Sequence, residues 1–204
     1  RAMTMHWSSV SHDERISTRD LILRTLLQKL ETLDRVSQKN LTTLLCRIVK
    51  LGWFVDDKYR ETVNDLKSFL KVSFLHAILG LTVLGDLVQD VSRRTKGHSL
   101  SANRKVAISF RDTVLLGVVR SGLDVLKSVV EGSVVFPDVQ TKLRLTETCM
   151  QLLFDCLTFD FVGSNVVDDI GDDISVVQCP GSWRDILLDG SFIVLLFRIY
   201  MSSK

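Results

Sequence analysis

The chain has 204 residues, of which 46% are hydrophobic and 25% are charged, and its formal net charge is +2. This apolar content, together with only 2 prolines, excludes an intrinsically disordered chain. The longest uncharged stretch, residues 72–85, has 14 residues, whereas a membrane-spanning helix needs about 20 apolar residues. The first residues also lack the apolar core of a secretory signal. The sequence therefore predicts no membrane insertion and no oxidising compartment.

The first helices are indicated by apolar residues at helical spacing. A helix around Leu23 to Leu33 has Ser17 or Thr18 as its predicted N-cap. A second helix runs through residues 41–49 and ends at Gly52. The predicted join, residues 36–40, is short, so the two helices should pack antiparallel.

Further helices follow in pairs. We expect them from about Asp57, from Phe74, over residues 114–130, from Asp138 as N-cap, over residues 183–188, and from Phe192 onwards. The predicted fold is an all-α, right-handed solenoid of HEAT/armadillo-type antiparallel helix pairs. Its pairs are predicted at about 17–53, 57–93, 104–158 and 182–204, with a basic loop at 93–105 and an acidic loop at 160–181.

Two oppositely charged segments stand out from this helical pattern. Residues 93–111 contain no acid but carry the basic residues Arg93, Arg94, Lys96, Arg104, Lys105 and Arg111. The acidic loop carries Asp168, Asp169, Asp172 and Asp173. The basic segment is either a solvated loop or a contact, whether for an acidic partner surface or for the chain's own acidic loop. The acidic segment is either a solvated loop or a partner contact. Direct nucleic-acid binding is not favoured, because Phe110 is the only aromatic residue of the basic segment.

Sequence patterns for catalysis and metal binding are absent. The chain lacks nucleotide-binding, zinc-protease and hydrolase motifs, and the acidic loop lacks the order of an EF-hand. Its four cysteines (Cys46, Cys149, Cys156 and Cys179) have no zinc-finger spacing and are predicted to be reduced and buried. His76 is predicted to be a hydrogen-bonded core residue. We therefore expect no enzyme activity, no cofactor and no metal site.

Several short runs carry a resemblance to a known family. They are residues 13–16 (DERI), 47–54 (RIVKLGWF), 103–112 (NRKVAISFRD), 156–163 (CLTFDFVG) and 176–189 (VVQCPGSWRDILLD). In order and spacing they resemble exportin-7 and the Ran-binding protein 16/17 type, which are importin-β-like karyopherins. The resemblance covers essentially the whole chain.

The resemblance implies a nuclear transport receptor. Such proteins bind the small GTPase Ran in its GTP form together with protein cargo, contact nuclear pore proteins, and shuttle between nucleus and cytoplasm. It also implies an N-terminal portion of a longer solenoid. The alternative is a HEAT-repeat interaction scaffold without transport activity.

Candidate partner-binding residues follow from charge and position. They are Arg47, Lys50, Arg104, Lys105, Arg111, Asp168, Asp169, Asp172 and Asp173. The alternative for each is a solvated charge or a partner of a helix end. Trp53, Phe110 and Trp183 are instead predicted to pack between adjacent repeats.

Overall fold

The computed structural model describes residues 7–95, 99–159 and 180–202. Contacts divide the chain into two compact units, Arg1–Ala107 and Ile108–Lys204. The described residues contain no strand. The all-α prediction is therefore confirmed for this part of the chain.

The first unit begins with a 3-10 turn, Trp7–Ser9, and continues with paired helices. These are α1 (His12–Gln28), α2 (Arg35–Gly52), α3 (Asp57–Phe69) and α4 (Phe74–Ser92), and the next helix, α5 (Leu100–Phe110), crosses the boundary of the unit after Ala107. The starts predicted at Asp57 and Phe74 are confirmed.

Two predicted helix boundaries in this unit are wrong. Helix α1 begins well before Ser17, because Ser11 and Glu14 form a reciprocal capping box that supports an earlier start. Helix α2 begins before the predicted join at residues 36–40, because the Asp34 carboxylate accepts hydrogen bonds from the backbone N–H groups of Val36 and Ser37. The turn between the two helices is therefore formed by residues 29–34.

Polar contacts between the helix pairs fix how the pairs stack. His12 lies 3.2 Å from Asp56 just before α3, and further along α1 the Arg19 guanidinium lies 2.9 Å from Thr62. In the same way Lys39 and Arg47 of α2 contact Asp86 and Asp90 of α4 at 2.9 Å and 2.8 Å.

Later residues of α1 contact later residues of the α3 segment, and later residues of α2 contact later residues of α4. Helix α1 therefore runs parallel to α3, and α2 runs parallel to α4. The contacting residues are 43–47 positions apart in sequence, which is the period of HEAT-type helix pairs. The fold is thus a stack of helix pairs. Its right-handedness stays a prediction.

Helix α4 is the most apolar helix of the first unit. Its length and composition would allow it to cross a membrane, and 56% of its apolar window is buried within the protein. It packs against α2 and α3. A Cβ added at Gly80 would lie 2.9 Å from the carbonyl oxygen of Leu66 in α3, so this close approach requires glycine.

The second unit contains a π-helical turn and a further helix pair. The elements are the π turn Arg111–Leu115, α6 (Leu116–Val130), α7 (Val139–Leu157), a 3-10 turn Gly181–Trp183, α8 (Arg184–Leu188) and α9 (Gly190–Ser202). Helices α6 and α7 pack together, and Gly122 lies against Leu153. The predicted cap Asp138 is confirmed, because its carboxylate accepts the N–H of Thr141 at 2.7 Å.

The predicted loops require correction or lie outside the described residues. The basic loop at 93–105 is wrong in its second half, because α5 begins at Leu100 and Ser99 accepts the N–H of Ala102 as a cap. Arg104 and Lys105 are therefore helical. Of the predicted acidic loop, residues 160–179 lie outside the described residues, and Gly181 belongs to a 3-10 turn.

Three large aromatic side chains and three cysteines lie in the core, and the packing of the aromatic side chains between adjacent repeats stays a prediction. Trp53, Phe110 and Trp183 are each 0% exposed. Cys46, Cys149 and Cys156 are free and buried, whereas Cys179 lies outside the described residues. His76 is half-buried, and its two ring nitrogens lie 2.7 Å from the Ser73 hydroxyl and 2.8 Å from the Leu27 carbonyl oxygen. It is thus hydrogen-bonded, as expected, at the edge of the core.

Candidate partner-binding surface

Lys50, in the last turn of α2, is a buried cation that lies against the end of α4. It is only 4% exposed. Its ammonium donates to the carbonyl oxygen of Asp90 at 2.6 Å and also to that of Arg93. Burial lowers its pKa to about 8, although the nearby Asp90 carboxylate acts in the opposite direction. Lys50 therefore supplies donors to carbonyl groups that the helix end leaves without intrahelical partners.

Arg47 extends the same cluster by one turn of α2. One guanidinium nitrogen lies 2.8 Å from the Asp90 carboxylate, and another donates to the Thr95 hydroxyl at 3.0 Å. Both predicted contact residues of α2 are thus engaged within the chain. A role in partner binding stays a prediction for Arg47 and Lys50, and it would require the end of α4 to release them.

The polar network continues into the start of α5. The buried backbone N–H of Thr95 donates to the Asn103 side-chain oxygen at 3.0 Å. The Asn103 amide in turn donates to the Ser99 carbonyl oxygen at 2.9 Å. These bonds hold the first turns of α5 against the segment that leaves α4.

Four exposed basic side chains lie on either side of this network. We define the basic surface as Arg93, Arg94, Arg104 and Lys105, all of which are exposed. Arg104 and Lys105 were predicted contact residues, and the structure brings them near Arg93 and Arg94 through the Thr95–Asn103 hydrogen bond. From the sequence, Arg93 and Arg94 were identified only as members of a segment that contains no acidic residue. Their place beside α5 follows from the buried side chain of Asn103, whose burial the sequence analysis did not predict.

The other predicted contact residues are not part of this surface. Arg111 lies in the π turn, its side chain is 14% exposed, and its guanidinium pairs with the Asp112 carboxylate at 2.7 Å. Asp168, Asp169, Asp172 and Asp173 lie outside the described residues. Their role as partner contacts stays a prediction.

The second unit has an open cleft of about 290 Å³ between α6 and the α8–α9 turn. Its lining combines basic residues such as Arg120 and Lys127 with Asp185, and apolar residues such as Leu123 and Phe192. This mixed charge favours neither an anionic nor a cationic ligand. Over residues 7–95, 99–159 and 180–202, no group of three or more His, Cys, Asp or Glu residues could hold a metal ion.

Stacked helix pairs define a helical-repeat protein. Over 194 residues the chain is 32% identical to exportin-7-B of Xenopus laevis and 33% identical to Ran-binding protein 17 of Homo sapiens. Each of these matches covers 93% of this chain and 18% of the relative. Ran-binding protein 16 of Drosophila melanogaster is 33% identical over 202 residues, which cover 94% of this chain and 18% of that protein.

The chain belongs to the exportin-7 and Ran-binding protein 16/17 family. The resemblance carried by the short sequence runs is thereby confirmed. The chain spans 18% of the length of the curated relatives it matches. No family model and no solved structure matches it significantly.

Proposed function

We propose that the chain acts as part of a nuclear transport receptor that binds Ran in its GTP form together with protein cargo. The observation that carries this proposal is the identity of 32–33% to proteins named exportin-7 and Ran-binding protein over 93% of the chain. Stacked helix pairs support it, because a solenoid presents an extended surface large enough for folded partners. The proposal includes contact with nuclear pore proteins and shuttling between nucleus and cytoplasm.

The same proposal assigns no reaction to the chain. Its partners are proteins, and we propose neither direct nucleic-acid binding nor membrane insertion. The half-buried Arg47 and the buried Lys50 would stabilise the stack, and exposed charges such as Arg104 and Lys105 would face partners. Arg111 and the four aspartates of residues 168–173 remain candidate contacts in this proposal.

A nucleotide-dependent binding experiment tests the proposal. The 204-residue chain is immobilised, and Ran loaded with a non-hydrolysable GTP analogue or with GDP is passed over it. We expect the GTP form to bind more tightly by about 100-fold or more, because transport requires a large difference between the two states. Equal binding of the two forms, or no binding of either, contradicts the proposal.

The second candidate function is an interaction scaffold without transport activity. It is favoured by the stacked helix pairs of the first unit, because such a stack presents a surface for protein partners whether or not the protein takes part in transport. Fluorescence imaging separates the two candidates. A transport receptor accumulates at the nuclear rim and redistributes when the nucleotide cycle of Ran is blocked, whereas a scaffold does neither.

A further inference from the structure

We propose that the basic surface of Arg93, Arg94, Arg104 and Lys105 binds an acidic segment of a protein partner. The proposal goes beyond transport by Ran, because it rests on charge and on the local geometry of the first unit. It does not depend on the nucleotide state of any GTPase.

The hydrogen bond from Thr95 to Asn103 brings the two halves of the basic surface together. Its length is 3.0 Å, and it joins residues eight positions apart in sequence. Arg94 precedes Thr95 and Arg104 follows Asn103. Since neighbouring Cα atoms are about 3.8 Å apart, the two arginines are brought onto neighbouring backbone segments. An extended acidic peptide could therefore contact both.

Acidic side chains in the part of the chain that the structure describes do not pair with this surface. Within the described residues, none of the four basic side chains forms an ion pair, and Arg93 donates instead to the neutral Gln89 amide at 3.0 Å. The nearby Asp90 carboxylate is held by Arg47 at 2.8 Å. The described residues therefore leave the positive charge of the basic surface available to a partner.

Side chains of α2 and α5 hold the backbone of residues 93–95 in place. Lys50 donates to the carbonyl oxygen of Arg93, Arg47 donates to Thr95, and Asn103 accepts from Thr95. The segment from residue 93 to residue 95 is thus fixed from both sides by buried polar groups. A surface that is already ordered loses less conformational entropy when a partner binds.

An acidic protein segment fits this surface better than a nucleic acid does. Phe110, the only aromatic side chain of residues 93–111, is 0% exposed and packs near Phe159 with ring centroids 6.1 Å apart. It is therefore not available to stack on bases, which single-stranded nucleic-acid sites commonly require. The formal net charge of +2 is also low for a nucleic-acid-binding chain.

The test measures binding of a fluorescent polyglutamate peptide to the 204-residue chain by anisotropy. The test variant is R104E/K105E, which reverses two exposed charges of α5. The control variant is R24E/K142E, which makes the same change in net charge at exposed helical positions elsewhere. We expect R104E/K105E to weaken binding by about tenfold or more and the control to weaken it by about twofold or less.

Circular dichroism first measures the helical content of both variants. We expect it to equal that of the parent chain, because all four substituted side chains are exposed. An equal loss of affinity in the two variants would overturn the proposal, because net charge alone would then explain binding. Single-stranded RNA provides a second arm. If it binds more tightly than polyglutamate and loses that affinity in R104E/K105E, the surface is a nucleic-acid site and the proposal is wrong.

Discussion

The ring of Tyr59 lies directly against Gly52. A Cβ added at Gly52 would come within 2.5 Å of the ring carbons, and Tyr59 itself is 0% exposed. The end of α2 and the start of α3 can approach this closely only because Gly52 has no side chain. The turn between the two helices therefore depends on this pair.

We expect Gly52→Ala to lower the free energy of unfolding by about 2 kcal/mol, because the added methyl group overpacks a site that cannot expand. Urea denaturation followed by circular dichroism measures this change. Gly190→Ala is the matched control, since nothing lies within 4 Å of the Cβ that it adds. The explanation fails if the two variants are equally stable.

Replacing Lys50 should change both stability and its dependence on pH. Lys50→Met removes the donors to the carbonyl groups of Asp90 and Arg93, and we expect it to destabilise the chain by about 1–3 kcal/mol at neutral pH. In the folded chain burial lowers the pKa of Lys50 to about 8 from an ordinary value of 10.5.

Over the window from pH 8 to 10.5, unfolding therefore takes up a proton at Lys50. A rise in pH opposes that uptake, so the parent chain should gain stability relative to Lys50→Met across this window. Below pH 8 the difference between the two proteins should not change with pH. Urea midpoints measured from pH 7 to 10.5 test this, and parallel curves throughout would contradict it.

Arg19 joins α1 to α3 through a buried guanidinium. It is 7% exposed, donates to the Thr62 hydroxyl at 2.9 Å and pairs with Asp20 and Asp65. We expect Arg19→Met to cost about 1–3 kcal/mol of stability. Arg19→Lys should recover less than half of that loss, because an ammonium cannot reproduce the fork of donors.

The exposed Arg24 on the same helix provides the control for Arg19. Arg24→Met should alter the free energy of unfolding by about 0.5 kcal/mol or less. Thermal and urea unfolding of the three variants would measure these differences. Full recovery by Arg19→Lys would show that a single positive charge, rather than the geometry of its contacts, is what α1 requires.

The buried cysteines should resist alkylation in the folded chain. Burial raises the pKa of Cys149 and Cys156 to about 12, and it also raises the pKa of Cys46. Because the thiolate is the reactive form, iodoacetamide at pH 8 should label these three residues only after urea is added. Peptide mapping by mass spectrometry measures the labelling. Rapid modification of Cys149 without urea would contradict the burial of α7.

Helical periodicity predicted the paired helices, because a helix that packs against a partner has its apolar residues spaced so that they lie on one buried face. It placed the starts of α3 and α4 correctly, and it identified Asp138 as a cap. It missed the start of α1, although the Ser11–Glu14 spacing is a recognisable capping box. The apolar pattern begins later than that helix does, and the prediction followed the apolar pattern.

The burial of Lys50 could not be predicted from the sequence. Its spacing with Arg47 indicated a polar helix face, and polar faces are usually solvated. The end of α4 covers that face because Asp90 and Arg93, some forty residues later, present carbonyl oxygens to it. Such a match between two distant segments depends on tertiary packing. The same holds for Asn103, whose partner Thr95 lies eight residues earlier in the chain.

The register of the contacts between α2 and α4 limits where the chain can change in length. Lys39 and Arg47 lie about two turns apart and must both face α4 to reach Asp86 and Asp90. One residue inserted between them would rotate one of the two side chains by about 100° around the helix axis, so only one contact could persist. An insertion in the turn at residues 29–34 lies before α2 and does not rotate the Lys39 and Arg47 side chains relative to each other. Homologous proteins should therefore vary in length at the turns between helices and keep the length of α2 constant.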